Sequence, residues 1–180
     1  MAKKSGQQDD PPQQPDPHRF EFKLDKAIRD QVLETLEASP MLPLQRNVAP
    51  QESGIYALFW KKKLVYIGKA SKATTKSKRT LRARLNEHSG KLANRDNLEI
   101  SDMASKFLTI ESDWFVWAAE FALINHFQPE WNGSGYGSKT PGKGRPGTHR
   151  VSKWNQMFPL KPGMDDSDEV DDDVGGDDPS

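Results

Sequence analysis

Tyr56 and Tyr66 stand ten positions apart, each inside a short apolar run, GIYALFW and LVYIG. A phenol at its ordinary pKa of ~10 is a poor base at neutral pH and works as one only beside a cation, another base or a metal-bound water. Arg84 and His88 supply such neighbours, since their i, i+4 spacing sets them on one face of a helix. Each pair also has an ordinary reading. Strand tyrosines generally pack half-buried, and an Arg/His pair at this spacing is commonly a solvated face, so each pair acquires chemical meaning only with the other. Glu120 adds a third element, because WFVWAA precedes it and FALI follows it. A carboxylate in so apolar a helix is costly to keep charged without a partner, and a metal ion is one such partner. The other reading puts Glu120 on the wet stripe of its helix. His18, His126 and His149 form no metal-ligand spacing, and the sequence has no cysteine, so any metal must be held by oxygen or imidazole.

A second set of residues points to a polyanion. Lys61, Lys62, Lys63, Lys69, Lys72, Lys76, Lys78 and Arg79 bunch in the middle of the chain. Downstream, six glycines and two prolines between Gly133 and Gly147 are interspersed with Tyr136, Lys139, Lys143 and Arg145. Glycine lets backbone approach a ligand closely and the cations neutralise phosphates, so Lys139, Lys143 and Arg145 are candidate DNA contacts; a plain surface loop is the competing reading. Gly137 to Lys143 imitates a phosphate-binding loop, but Gly144 stands where Ser or Thr should hold magnesium, which excludes nucleotide hydrolysis. The formal net charge of zero conceals this pattern. Residues 54–153 carry 18 basic and 8 acidic side chains, whereas residues 165–180 carry nine acids and no base. A basic domain thus bears an acidic tail, which either solubilises the protein or occupies the basic groove as a mimic of DNA.

The elements that must position these residues can be read from periodicity. Leu24, Ile28, Val32 and Leu36 recur every fourth residue, predicting an amphipathic helix that ends before Pro40. GIYALFW and LVYIG read as a hairpin around a brief lysine loop that lacks glycine. Thr80 is placed to cap a helix through LRARLNEHS, with Leu81 and Leu85 inward and Gly90 as its terminator. KFLTI reads as a third strand, and Asp113 as the N-cap of a helix that stops at Gln128 because Pro129 follows. Residues 1–18 and 165–180 are predicted to be disordered tails around one domain over residues 19–164. With no long apolar run, no apolar leader behind the first lysines and no cysteine, the sequence predicts a cytoplasmic protein without a membrane partner.

Gly54-Ile55-Tyr56 followed by Tyr66-Ile67-Gly68, then Arg84 and His88, Glu120 and Asn132, resembles the GIY-YIG nuclease superfamily over residues 53–154. Within it, EFALINHFQPEWN running into YGSKTPGKGR is similar to the small Type II restriction endonucleases. The resemblance implies an α/β sandwich, GIY-YIG-like, with a three-stranded antiparallel sheet flanked by helices. It implies one Mg2+ per active site on Glu120, Tyr56 as general base with His88 relaying its proton, and Tyr66 near the nucleophile or scissile phosphate. It also implies Arg84 against the developing phosphorane charge, Asn132 as organiser of the site, and Lys69 assisting near the tyrosine or phosphate. A lone carboxylate suits magnesium, which keeps most of its waters, whereas zinc or iron wants more imidazoles. The implied partners are double-stranded DNA, a second copy of the chain, since one such site cuts one strand, and a cognate DNA methyltransferase as a functional counterpart. A repair or mobile-element nuclease, or a non-cleaving DNA-binding protein on the same fold, are the alternatives. Only nine residues separate Tyr56 from Tyr66, where members of the restriction branch can carry a long insertion.

Overall fold

The computed structural model describes residues 24–72, 79–136 and 151–164. Both predicted tails and the loop bearing Lys139, Lys143 and Arg145 lie outside the described residues. In chain order the elements are α1 (Leu24–Ala38), β1 (Leu42–Pro43), β2 (Gly54–Trp60), β3 (Lys63–Ala70), α2 (Leu81–Ala93), β4 (Met103–Thr109), α3 (Asp113–Phe127) and α4 (Lys153–Met157). The strands form one antiparallel sheet in the order β1-β4-β2-β3.

β2 lies inside the sheet and is covered on both faces, which is why GIYALFW reads as a nearly unbroken apolar run. Ile55 and Ala57, with Ile67 of β3, pack beneath α1 and α3 together with Leu36, Val116, Ala119 and Leu123. Tyr56, Leu58 and Tyr66 face the other way, toward Leu81, Leu85 and Leu92 of α2. The architecture is therefore an α/β sandwich with the sheet between two helical layers.

β2 turns into β3 through Lys61 and Lys62 alone, both left-handed with φ of 49° and 66°. That geometry matches the strand twist but normally selects Asn-Gly, so two lysines there carry a conformational cost. Lys63, read from sequence as part of the loop, begins β3 and pairs with Trp60.

The expected three strands become four, because Leu42 and Pro43 pair with Ser105 and Ala104 at the far edge of the sheet. Two residues in a Pro-rich connection show no alternation from which a strand could be recognised. Gly90 does not end α2 as expected; the helix runs through it to Ala93. A helical glycine costs about 1 kcal/mol relative to alanine, whereas Leu92, fully buried two residues later, returns about 2 kcal/mol. α3 begins at Asp113 with Ser112 at the cap, one residue from the expected position, and the Asp113 carboxylate accepts a 2.6 Å hydrogen bond from Ser71. It ends as expected at Gln128, whose φ of 46° closes the helix before Pro129.

Residues 151–164 fold back onto the domain. Trp154 is fully buried against Trp131, Tyr136 and Phe158, and the buried Arg95 guanidinium bonds Asn155 and the Phe158 carbonyl. Among the described residues no helix is long and apolar enough to cross a membrane.

Candidate active site

The hairpin register builds the site's floor. Tyr56 lies opposite Gly68, and Leu58 lies opposite Tyr66, so both tyrosines project from the same face of the sheet. Their ring centroids are 6.2 Å apart. The Tyr56 ring crosses the place where a Gly68 side chain would stand: a Cβ there would lie 2.5 Å from the Tyr56 hydroxyl and 2.9 Å from Tyr66 Cε1. The first glycine has a separate cause, since a Cβ on Gly54 would overlap the Leu108 carbonyl of β4. Each triplet's glycine thus serves close approach, one of a side chain and one of a backbone.

α2 supplies the next two groups. Thr80 caps it as expected, accepting from Ala83 N, and Leu81, Leu85, His88 and Leu92 form its buried stripe. His88 therefore occupies a core position, where helical periodicity would otherwise place an aliphatic residue. Its Nε2 is 2.7 Å from the Tyr56 hydroxyl and its Nδ1 is 2.6 Å from the Tyr136 hydroxyl. Burial, reinforced by the charges of Arg84 and Lys91, holds the His88 pKa well below the usual imidazole value, so the ring is neutral at neutral pH. Burial likewise raises the Tyr56 pKa, opposed by the Arg84 guanidinium, which hydrogen-bonds the phenol. Tyr66 and Tyr136 are held well above the ordinary phenol value, also chiefly by burial. Arg84 reaches Glu87 at 2.9 Å, and the Tyr56 oxygen beside it pushes its pKa further up, so it is a permanent cation.

Tyr136 is the residue sequence reasoning left out of the site, having been read only as an aromatic of the glycine loop. The chain contains three tyrosines, and all three meet at His88.

Glu120 approaches from α3. Its side chain is 17% exposed, and Oε2 accepts a 2.6 Å ion pair from Lys69 Nζ. It lies close enough to both phenols to oppose their ionisation, which joins it electrostatically to the tyrosine pair. Glu120 is therefore half-buried at the margin of the exposed stripe that carries Trp117 and Phe121. The premise that α3 is greasy because it is submerged needs correcting, since Trp114, Trp117 and Phe121 are 57%, 60% and 66% exposed. Lys69, expected near a tyrosine or phosphate, rests between the Glu120 carboxylate and the Trp117 ring, 3.7 Å from its centroid.

No group of three His, Cys, Asp or Glu side chains capable of holding a metal occurs among the described residues. The donor set at Glu120 is one hard carboxylate with partial access to solvent. Such a site fits a cation that retains most of its water, as Mg2+ does, and does not fit zinc.

Asn132 acts on backbone. Its Oδ1 accepts from Ile67 N at 2.9 Å and its Nδ2 donates to Ile67 O at 2.8 Å. β3 is an edge strand, and the Asn132 amide supplies the missing ladder partner for the residue between Tyr66 and Gly68. Trp131 N continues that pairing by donating to Val65 O at 2.8 Å. Asn132 fixes the strand, with both ends of its amide engaged. Of the expected residues, Tyr56, Tyr66, Arg84 and His88 converge, Glu120 acts on both phenols electrostatically with Lys69 paired to it, and Asn132 holds β3 from its edge.

A family model described as the Eco29kI GIY-YIG domain matches residues 55–172. Among solved structures, the GIY-YIG N-terminal endonuclease domain of UvrC from Thermotoga maritima with bound magnesium is 23% identical, with 59% of this chain and 97% of that chain covered and a TM-score of 0.33. A point mutant of the same domain bound to its catalytic divalent cation is 21% identical, with 59% and 96% covered and the same TM-score. No curated protein matches the chain.

Proposed function

We propose, from the premise that this chain belongs to the Eco29kI GIY-YIG domain family and carries its nuclease domain, that it is a Type II restriction endonuclease cutting double-stranded DNA at specific sites with Mg2+. The observation that carries this reading is the short contact between Tyr56 and a buried, neutral His88, with a permanent guanidinium on the same phenol. A buried packing tyrosine needs one hydrogen-bond partner, whereas phosphodiester hydrolysis uses both the imidazole and the guanidinium.

Water attacks phosphorus as its proton passes to Tyr56 Oη and the Tyr56 proton passes to His88 Nε2. The phenol therefore never has to accumulate as phenolate, which its raised pKa forbids near neutrality. Charge grows on the nonbridging oxygens while the bond to the leaving oxygen breaks, and Arg84 stands ready to offset it. Tyr66 closes the wall beside the phosphate. Glu120 would hold a hydrated divalent cation, which when bound would supply positive charge against that developing negative charge. Lys69 pairs with that carboxylate at 2.6 Å and orients it.

Lys139, Lys143 and Arg145 follow Tyr136 directly in the chain and are assigned to the DNA backbone. Cutting both strands of a palindrome calls for two copies of the chain, and protecting the host calls for a methyltransferase of the same specificity, both in the cytoplasm. The test is plasmid digestion with Mg2+ by the wild type and by Glu120→Gln. The wild type is expected to yield discrete fragments and the variant none. Mg2+ at a hundredfold excess over its Kd should also stabilise the wild type by about 2.7 kcal/mol and leave the variant unmoved. A variant that still cuts, or still responds to Mg2+, defeats the metal assignment. Nicking confined to lesions or branched DNA favours a repair nuclease, and gel shifts without any cleavage favour a non-cleaving binder.

A further inference from the structure

We infer that Tyr136 is a positioning residue for hydrolysis, whose hydroxyl accepts the His88 Nδ1 proton and thereby leaves Nε2 as the open lone pair facing Tyr56. The inference rests on the nuclease reading above, in which His88 takes the Tyr56 proton. It starts from the geometry of one imidazole between two phenols, 2.7 Å from Tyr56 at Nε2 and 2.6 Å from Tyr136 at Nδ1.

A neutral imidazole has one N–H and one lone pair, so one phenol must donate to it and the other must accept from it. The two tautomers are not equivalent for the reaction. With the proton on Nε2, His88 donates to Tyr56 and can receive nothing from it. With the proton on Nδ1, Nε2 is free to take the phenolic proton.

Arg84 breaks the tie. Its cation beside Tyr56 pulls that phenol's pKa down against the effect of burial, whereas Tyr136 is held well above the ordinary value, so Tyr56 is the stronger O–H donor of the two. Tyr56 therefore donates to Nε2, and Nδ1–H must find an acceptor within the protein. Tyr136 is that acceptor: it is fully buried, and its ring is fixed between Trp131, Tyr66 and Trp154. When His88 gains the second proton, the same oxygen holds the Nδ1 side of the imidazolium, so the ring need not rotate during transfer.

The test combines the tautomer and the rate. In protein labelled with 15N at histidine, free of DNA and metal, two-bond couplings should show His88 as the Nδ1–H form. Tyr136→Phe keeps the ring and removes only the oxygen. It is expected to lose the single tautomer and to lower kcat at least tenfold with KM for DNA unchanged. A wild-type His88 in the Nε2–H form overturns the inference, with no variant needed should Tyr136→Phe not fold. So does a Tyr136→Phe protein that keeps the Nδ1–H form or wild-type kcat. If the wild type cuts no DNA, the nuclease reading falls on that result, while the spectrum still decides the tautomer separately.

Discussion

Replacing Gly68 with alanine adds one methyl group, and the structure says what that methyl meets. It would stand 2.5 Å from Tyr56 Oη, 2.6 Å from Tyr56 Cζ and 2.9 Å from Tyr66 Cε1, where ordinary contact begins at 3.4 Å. The Tyr56 phenol must retreat by about 0.9 Å, yet its hydroxyl is already engaged at 2.7 Å with His88. Both partners are buried and neither is the free end of a flexible chain, so the displacement falls on the pair proposed to move the proton. Overpacking of this kind costs about 1–3 kcal/mol of stability. A misplacement near 1 Å at a reacting group costs about 10²-fold in rate, roughly 2.7 kcal/mol in the barrier. The assay is single-turnover cleavage of plasmid with enzyme in excess, paired with urea unfolding of the same preparation. Gly163→Ala is the matched control, because its φ of 82° makes alanine strained there although nothing lies within 4 Å. That control should lose about 1 kcal/mol of stability and keep its rate. A folded Gly68→Ala protein cutting within threefold of wild type would refute the claim that the second triplet's glycine makes room for the general base.

Three further outcomes are expected. Asn132→Ala strips Ile67 of two hydrogen bonds and leaves its N–H and C=O unpaired, so urea unfolding should show a loss of about 2–3 kcal/mol. His88 binds its proton more weakly folded than unfolded, so the unfolded chain takes up the extra proton as pH falls below ~6.5. Denaturation across pH 4 to 8 should find this contribution complete above ~6.5 and lost below it, with a slope of at most about 1.4 kcal/mol per pH unit from this one group. Lys62→Gly relieves a left-handed lysine at φ 66° and should raise stability by about 0.5–1 kcal/mol in urea unfolding.

The local elements were legible in the sequence where one force dominated. The α1 stripe, the β2–β3 hairpin, the Thr80 cap and the stop before Pro129 each follow from periodicity or backbone chemistry within a few residues. Gly90 misled because a local preference worth about 1 kcal/mol was outweighed by the burial of Leu92, whose core cluster includes Trp131, Trp154 and Phe158 from far along the chain. Glu120 was found for a reason that was half right. Its apolar neighbours do signal an acid that needs a partner, but several of them face solvent, so apolarity of the helix was no measure of burial. Asn132 was expected to organise the site, but its pairing with Ile67 could not be read, since that depends on β3 being an edge. Tyr136 was missed because its contact with His88 spans 48 positions and crosses a loop with no periodicity.

The site's precision derives from the segment that covers the sheet edge more than from the sheet itself. An edge strand offers unpaired N–H and C=O groups and is free to shift unless something occupies them. Trp131 and Asn132 occupy them on β3, beside Tyr66, Gly68 and Lys69. Four residues on, the same segment delivers the Tyr136 hydroxyl to His88 on α2. It is itself held by Trp154 and Phe158, which Arg95 ties to the end of α2. Residues 131–136 thus bridge the strand that presents one phenol and the helix that presents the imidazole, so the two cannot drift apart independently. Changes in the distant Trp154 cluster should accordingly be felt at the Tyr56–His88 contact, whereas changes at the far edge strand β1, bonded only to β4, should not.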